Sequence, residues 1–309
     1  MVKATIKTSS KKNNHLRQSS GDKLFDVIVL ILAVIVFLFC AYPLYFVLIA
    51  SISNPNLVSA GKVLLIPKEI TFEAYQYILR TSTIWTGYGN TLIYTLGTIA
   101  LGLFITIPAG YALSRKDFVG NKVFMIMITF TMFFQGGLIP TYIVINRIGL
   151  LNTRIILILL SSVTVFNVIM TRTFFKSNIP NDLFEAASVD GCSNTRFFFS
   201  VILPLSKTII AIIALYVAVA QWNSYFNALI YITESQKYPL QIFLRQILVM
   251  GQNLGDTSEM TSTEIEYLQR ISLLVKYGII VVSSAPIIAL YPFLQRYFVK
   301  GVMIGSIKG

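Results

Sequence analysis

Apolar residues in this chain gather into long runs instead of alternating with polar ones. Six runs stand out, over Asp26–Ile52, Tyr88–Leu113, Val123–Ile145, Ile155–Phe174, Thr208–Asn223 and Leu273–Phe293. A bilayer core about 30 Å thick is crossed by roughly 20 apolar residues in a helix. The runs therefore predict an all-α membrane protein with about six transmembrane helices. The fifth run is the shortest and has an apolar lead-in from Val201. Pro43, Pro108, Pro140 and Pro286 fall inside the predicted spans. Lipid tolerates such prolines where neighbouring helices satisfy the freed carbonyls, so they are expected to mark bends.

The polar intervals are equally uneven. Residues 1–24 form a basic tail expected to be disordered, and residues 25–309 form one membrane domain. A hydrophilic loop runs over about 176–207, and a longer one over about 224–270. Within the second, Leu240, Phe243, Leu244, Ile247 and Leu248 recur at helical spacing, which predicts an amphipathic helix lying on a surface.

Composition agrees with the runs: 55% of residues are hydrophobic and 12% are charged. A soluble domain carries about 25% charged residues. The formal charge of +12 raises the possibility of nucleic acid, but its placement argues otherwise. Lys3, Lys7, Lys11, Lys12, Arg17 and Lys23 precede the first span, and the remainder are scattered over loops with no basic stripe. If the chain starts inside, sixteen of its 25 basic residues lie on inner segments. Both termini are therefore expected in the cytoplasm. The basic start followed by Cys40 resembles a lipoprotein signal, but Phe39 stands where cleavage needs a small residue and the run continues beyond it. The first span reads as a retained anchor.

Candidate chemistry is concentrated in the first polar loop, from Pro180 to Pro204. Its pattern predicts a short helix, a break and a second short helix. Pro180 with Asn181 or Asp182 starts the first helix, and Gly191 supplies a left-handed terminus. Ser193 caps the second helix, and Pro204 introduces the fifth span. Ala186 and Ala187 keep one face slim enough for another surface to approach closely.

The same segment resembles the EAA loop of permease subunits in binding-protein-dependent ABC importers. It has Glu185-Ala186-Ala187, three residues, Gly191, nine residues, then Val201-Ile202-Leu203-Pro204, with Val201 in place of the family's isoleucine. The resemblance covers most of the chain and implies the type I ABC-importer permease fold. It also implies that the loop is a coupling helix docking on a separate ATPase, with Glu185, Ala186, Ala187, Asp190 and Gly191 as docking residues. The run from Tyr291 to Gly305 is similar to the ending of carbohydrate permeases of the maltose-importer superfamily, particularly oligosaccharide importers, in which the tail reaches toward the ATPase pair. The partners implied are an ATPase dimer, a second permease and an extracytoplasmic sugar-binding protein, in the inner membrane of a prokaryote.

Residues for substrate are less marked. Trp222-Asn223, in the stretch Gln221–Asn227, resembles carbohydrate permeases and offers a stacking face and amide groups, although Trp and Tyr also belong at any bilayer interface. Gln135 and Asn167 lie within spans and suit either a translocation path or bonding between helices. The outer segment Gly251–Glu266 lies where related permeases place a loop against the binding protein.

Other function classes lack material. No Gly-x-x-x-x-Gly-Lys-Ser/Thr loop occurs, so ATP hydrolysis falls to another chain. The only histidine, His15, sits in the tail, which leaves no metal site or His-based triad, and no cofactor is expected. The competing hypothesis of a stand-alone secondary carrier needs ionisable groups deep in spans. Asp26 lies at a span edge, and Lys276 is expected to snorkel to the outer surface.

Overall fold

The computed structural model describes residues 20–253, 272–273 and 275–289, and no strand occurs among them. The C-terminal run from Tyr291 and most of the 251–266 segment lie outside the described residues. The first helix, α1 (Ser20–Ser51), begins five residues before the predicted domain start. Its most apolar stretch has no residue buried within the protein. Its final turns are held to the rest of the chain. Tyr45 Oη donates to the Leu65 carbonyl at 2.6 Å, Tyr42 Oη to that of Leu64 at 3.2 Å. Ile49 and Ala50 pack on Val58 and Val63, beside the short helix α2 (Pro55–Ser59).

After α3 (Glu73–Arg80) comes the organising element, α4 (Ser82–Ser114), 33 residues long and so about 50 Å from end to end. Its buried positions include Gly87, Thr91, Thr95, Thr98, Gly102, Thr106 and Gly110. They recur at three- and four-residue intervals and form one stripe of small side chains. Such a stripe lets helix backbones approach in lipid, where hydrophobicity does not drive helices together. A Cβ on Gly102 would stand 2.5 Å from the Ser162 carbonyl oxygen, and one on Gly110 would stand 2.5 Å from Thr171 Cγ2.

The remaining spans wrap this helix and three are broken. Helices α5 (Asn121–Phe133) and α6 (Leu138–Arg147) meet at 109°. Helices α7 (Arg154–Ser162) and α8 (Val165–Asn178) meet at 46°. The loop of interest holds α9 (Asn181–Val189), α10 (Asn194–Phe197), a π-turn over Phe198–Ile202 and α11 (Leu203–Leu205). The segment Asn194–Leu205 then turns by 76° into α12 (Lys207–Trp222). Helices α13 (Phe226–Tyr231) and α14 (Leu240–Asn253) follow, and α15 (Val275–Ala289) is the last described.

These breaks do not fall at the prolines. Pro43 and Pro108 lie inside continuous helices, and Pro140 sits in the first turn of α6, where a missing N–H leaves no bond unmade. The 109° break instead uses Gly137, whose φ of 84° and ψ of 178° suit glycine alone. At the 46° break the helix restarts because Thr164 Oγ1 accepts from the Asn167 N–H at 3.2 Å. By length and composition the described chain has two clear spans, or up to five when each bent pair counts as one. With the shorter apolar α15 this matches the six predicted runs.

Helix α14 differs from the surface helix its periodicity predicted. Leu240 is fully buried with Ile78, Ile84, Val275 and Ile279, with Leu244 and Ile247 beside them. Phe243 reaches within 2.9 Å of where a Cβ of Gly87 would lie, so α14 closes one end of the bundle. The side chain of Leu248 lies outside the described part.

Candidate functional site

The end of the bundle carrying α9 is built by local rules. Pro180 occupies the cap position of α9 without a side-chain bond, and Asp182 lies in the first turn, against the positive end of the helix dipole. The helix stops in a Schellman arrangement: Gly191 N–H donates to the Ser188 carbonyl at 3.1 Å and Cys192 N–H to that of Ala187 at 2.9 Å. That geometry requires the φ of +70° seen at Gly191. Ser193 Oγ then accepts from the Arg196 N–H at 3.3 Å and starts α10.

Glu185, Ala186, Asp190 and Gly191 are exposed, and Leu183 and Val189 join them, Val189 at 88% exposure. Ala187 turns the other way. With Phe184 and Cys192 it packs on the buried cluster of Ile107, Phe175, Phe197 and Ile202. The two alanines thus serve different faces, one toward solvent and one toward the bundle.

What seats α9 on the bundle is a residue that sequence reasoning missed. Arg115, the residue ending α4, places its guanidinium 3.3 Å from the centroid of the Phe184 ring. The same group donates Nε and Nη2 to the two carboxylate oxygens of Asp117, each at 2.7 Å. Its hydrogen bonds hold the Asp117 carboxyl below the ordinary carboxylate range. Arg115 had only the appearance of a basic residue at a span end. Its one local signal is Asp117, two positions on, since Phe184 lies 69 residues away in sequence. Arg172 Nε and Asn121 Nδ2 both donate to the Leu113 carbonyl, at 2.9 and 2.6 Å, and tie α8 and α5 to the same end of α4. A cleft of about 350 Å³ lies between Arg115, Lys116, Lys176 and Phe184.

The polar residues named from sequence are not brought together. Asn167 is buried, and its backbone N–H is bound to Thr164 in the α8 cap. Trp222 is buried as well. Its Nε1 donates to the Ser283 carbonyl at 3.0 Å and its ring meets Tyr88 edge-on at 6.1 Å. Asn223 is exposed and bonds back to the Val219 carbonyl at 2.9 Å. Gln135 lines an open cavity of about 530 Å³ with Thr131, Phe134, Thr141, Asn227 and Tyr231, whereas Trp222 lines a smaller apolar one of about 180 Å³ with Thr95 and Ile99. Lys276 is exposed, with its ammonium 5.5 Å from the Tyr277 ring centre. No group of His, Cys, Asp and Glu among the described residues suits a metal ion.

Comparison with known proteins places this geometry. The chain is 38% identical to the polygalacturonan/rhamnogalacturonan transport system permease protein YtcP of Bacillus subtilis (strain 168), over 93% of this chain and 99% of that one. It is 35% identical to Protein LplC of the same organism, over 95% and 98% of the two chains. In fold it resembles a chain from the crystal structure of a bacterial ABC transporter involved in the import of the acidic polysaccharide alginate. The TM-score is 0.81 at 33% identity, with 91% of this chain and 99% of that chain covered. Residues 107–304, which include α9 and most of the bundle around it, match the family described as binding-protein-dependent transport system inner membrane component. Its members are transporter components, and ATP hydrolysis belongs to separate subunits. With its broken spans around α4 and its exposed, capped α9, the chain belongs to this family of inner-membrane transport components.

Proposed function

We propose that this chain is one of two permeases that together pass an oligosaccharide across the membrane. The sugar is handed over by an extracytoplasmic binding protein, and an ATPase dimer drives the passage through α9. Both termini then lie in the cytoplasm, in line with the distribution of basic residues. The substrate class follows the relatives, whose names refer to polygalacturonan, rhamnogalacturonan and arabinooligosaccharides, and to alginate for the solved structure.

The observation that carries the proposal is the exposed face of α9. Leu183, Ala186 and Val189 lie at three-residue intervals with Glu185 and Asp190 beside them, while the opposite face is packed and clamped by Arg115. A short helix that is rigidly seated yet presents apolar side chains to water is suited to docking in a partner's cleft. Its motion is passed to the permease helices because Arg115 ends α4 and α4 contacts α7, α8 and α12. ATP-driven movement of α9 then alternates access to the cavity between the two sides.

The test uses Gly191→Asp. A Cβ there meets nothing within 4 Å, so the added carboxylate projects toward the partner, and aspartate tolerates the left-handed backbone better than most residues. In gently solubilised native membranes, the wild type is expected to bring down an ATPase and a second permease, identified by mass spectrometry. The variant is expected to insert at the same level and to bring down no ATPase. Normal ATP-driven uptake by Gly191→Asp would remove the docking assignment. A wild-type chain purifying alone would return the stand-alone carrier to the lead.

A further inference from the structure

We infer that the break between α5 and α6 forms a carbohydrate-contact site, in which Gln135 and Asn227 bond sugar hydroxyls and Phe134 supplies a stacking face. The inference rests on the importer function proposed above. Helix α5 has 13 residues and is therefore about 20 Å long. That is less than the roughly 30 Å of hydrocarbon in a bilayer. A span that enters at Asn121 thus breaks inside the membrane, at Phe134–Gly137.

Non-helical backbone at that depth is tolerated only against protein or in a water-filled cavity. Here residues 131–140 are all exposed, so no described part of this chain covers the break, and the second permease or the water-filled path between the two permeases must meet it. The side chains agree. The side-chain amides of Gln135 and the half-buried Asn227 make no hydrogen bond among the described residues, and two free amides facing lipid would be costly.

The cavity has the parts a sugar ring needs. Phe134 is 66% exposed and is braced on one face by Phe130, with centroids 4.3 Å apart and planes at 16°. Its other face is free for the C–H side of a pyranose. The amides of Gln135 and Asn227 each donate and accept, which matches vicinal hydroxyls. At about 530 Å³ the cavity has room for one or two sugar units. No charged side chain lines it, so the site reads hydroxyls and ring faces, and leaves any carboxylate of an acidic sugar to water.

The experiment uses the full importer, with both permeases, the ATPase and the binding protein, in proteoliposomes. Probes are oligogalacturonides, alginate oligomers and arabino-oligosaccharides. Uptake of none of these by the wild type, with no ATPase stimulation, would refute the carbohydrate-importer reading on which the site depends. With a transported probe in hand, Gln135→Leu/Asn227→Leu is expected to lower sugar moved per ATP hydrolysed by about tenfold, and each single variant by about threefold. Phe134→Leu is expected to act like a single variant, and Gln135→Asn to restore part of the loss. Binding-protein-stimulated ATP hydrolysis stays within about twofold of wild type, because α9 is untouched. Unchanged transport per ATP in the double variant overturns the site. So does a loss of ATPase stimulation in step with uptake, which would mark these residues as structural.

Discussion

The guanidinium of Arg115 is fixed from three sides, by the Phe184 ring, by the Asp117 carboxylate at its Nε and Nη2, and by Tyr111 Oη at 3.4 Å from Nη1. Lysine in its place keeps the charge but loses the planar fork and the stacked face. Arg115→Lys is expected to destabilise the α9 end by about 1 kcal/mol, read as a lower melting temperature of the purified chain. An unchanged melting temperature would remove the clamp. Because the Asp117 pKa is depressed, the pair's contribution is complete above the ordinary carboxylate value and is lost only as pH falls through the lowered one. ATP-driven uptake should thus show no titration from this pair between about pH 5 and pH 8, and Asp117→Asn should lower uptake by the same factor across that range. A pH-dependent ratio of variant to wild type would contradict the pairing. Of this clamp the chain shows only the Arg115–Asp117 spacing. Cap and turn residues act on neighbours a few positions away and were read correctly at Gly191 and Ser193, whereas the clamp joins residues that only the fold makes adjacent.

At the scale of elements, apolar run length found the spans among the described residues, and periodicity found α14. It did not find the breaks at Gly137 and Val163, because a window averaged over a whole span passes over the few polar or small residues beside them, Gln135 and Gly136 at the first and Ser162 and Thr164 at the second. A hydropathy window sees composition and is blind to one non-helical φ. It was equally blind to the small-residue stripe on α4, which reads as ordinary membrane sequence until α7 and α8 are laid against it. Gly102→Ala is expected to cost about 1–3 kcal/mol, since the new methyl meets a backbone carbonyl that cannot rotate away. Gly89→Ala, where a Cβ meets nothing within 4 Å, is the matched control and should be neutral or stabilising by up to about 1 kcal/mol. Thermal unfolding in detergent separates the two, and equal melting would show that the helices do not approach as closely as described.

Across the whole molecule, each end of the bundle is tied together by side chains from several helices, charged and aromatic alike. The α9 end uses charge, through Arg115, Asp117 and Arg172. The opposite end has an ion pair of its own, Lys237 with Glu234 at 2.9 Å, and adds Trp222 of α12 bonded to the Ser283 carbonyl and Tyr88 of α4 bonded to that of Val282, both on α15. Trp222→Phe should keep the contact with Tyr88 and leave the Ser283 carbonyl unmet, at a cost of about 1–3 kcal/mol in stability. Transport per ATP at a temperature where the variant is folded should be unchanged. A selective loss of transport would return Trp222 to the substrate path, where sequence alone had put it as a candidate.

Helix α1 follows a different logic from everything after it. Its apolar stretch buries nothing within the protein, and it lies wholly before the family match that begins at residue 107. Of the later spans three are broken, and α7, α8 and α12 pack along the stripe of small residues on α4. During synthesis, then, α1 can partition into the bilayer as soon as it leaves the ribosome, on its own hydrophobicity and with no other part of the chain present. The segments after α4 have no such independence and must wait for a template. Biogenesis of this protein therefore has an order written into it: an anchor that inserts alone, a scaffold helix, and then broken helices that become stable only by assembling on that scaffold.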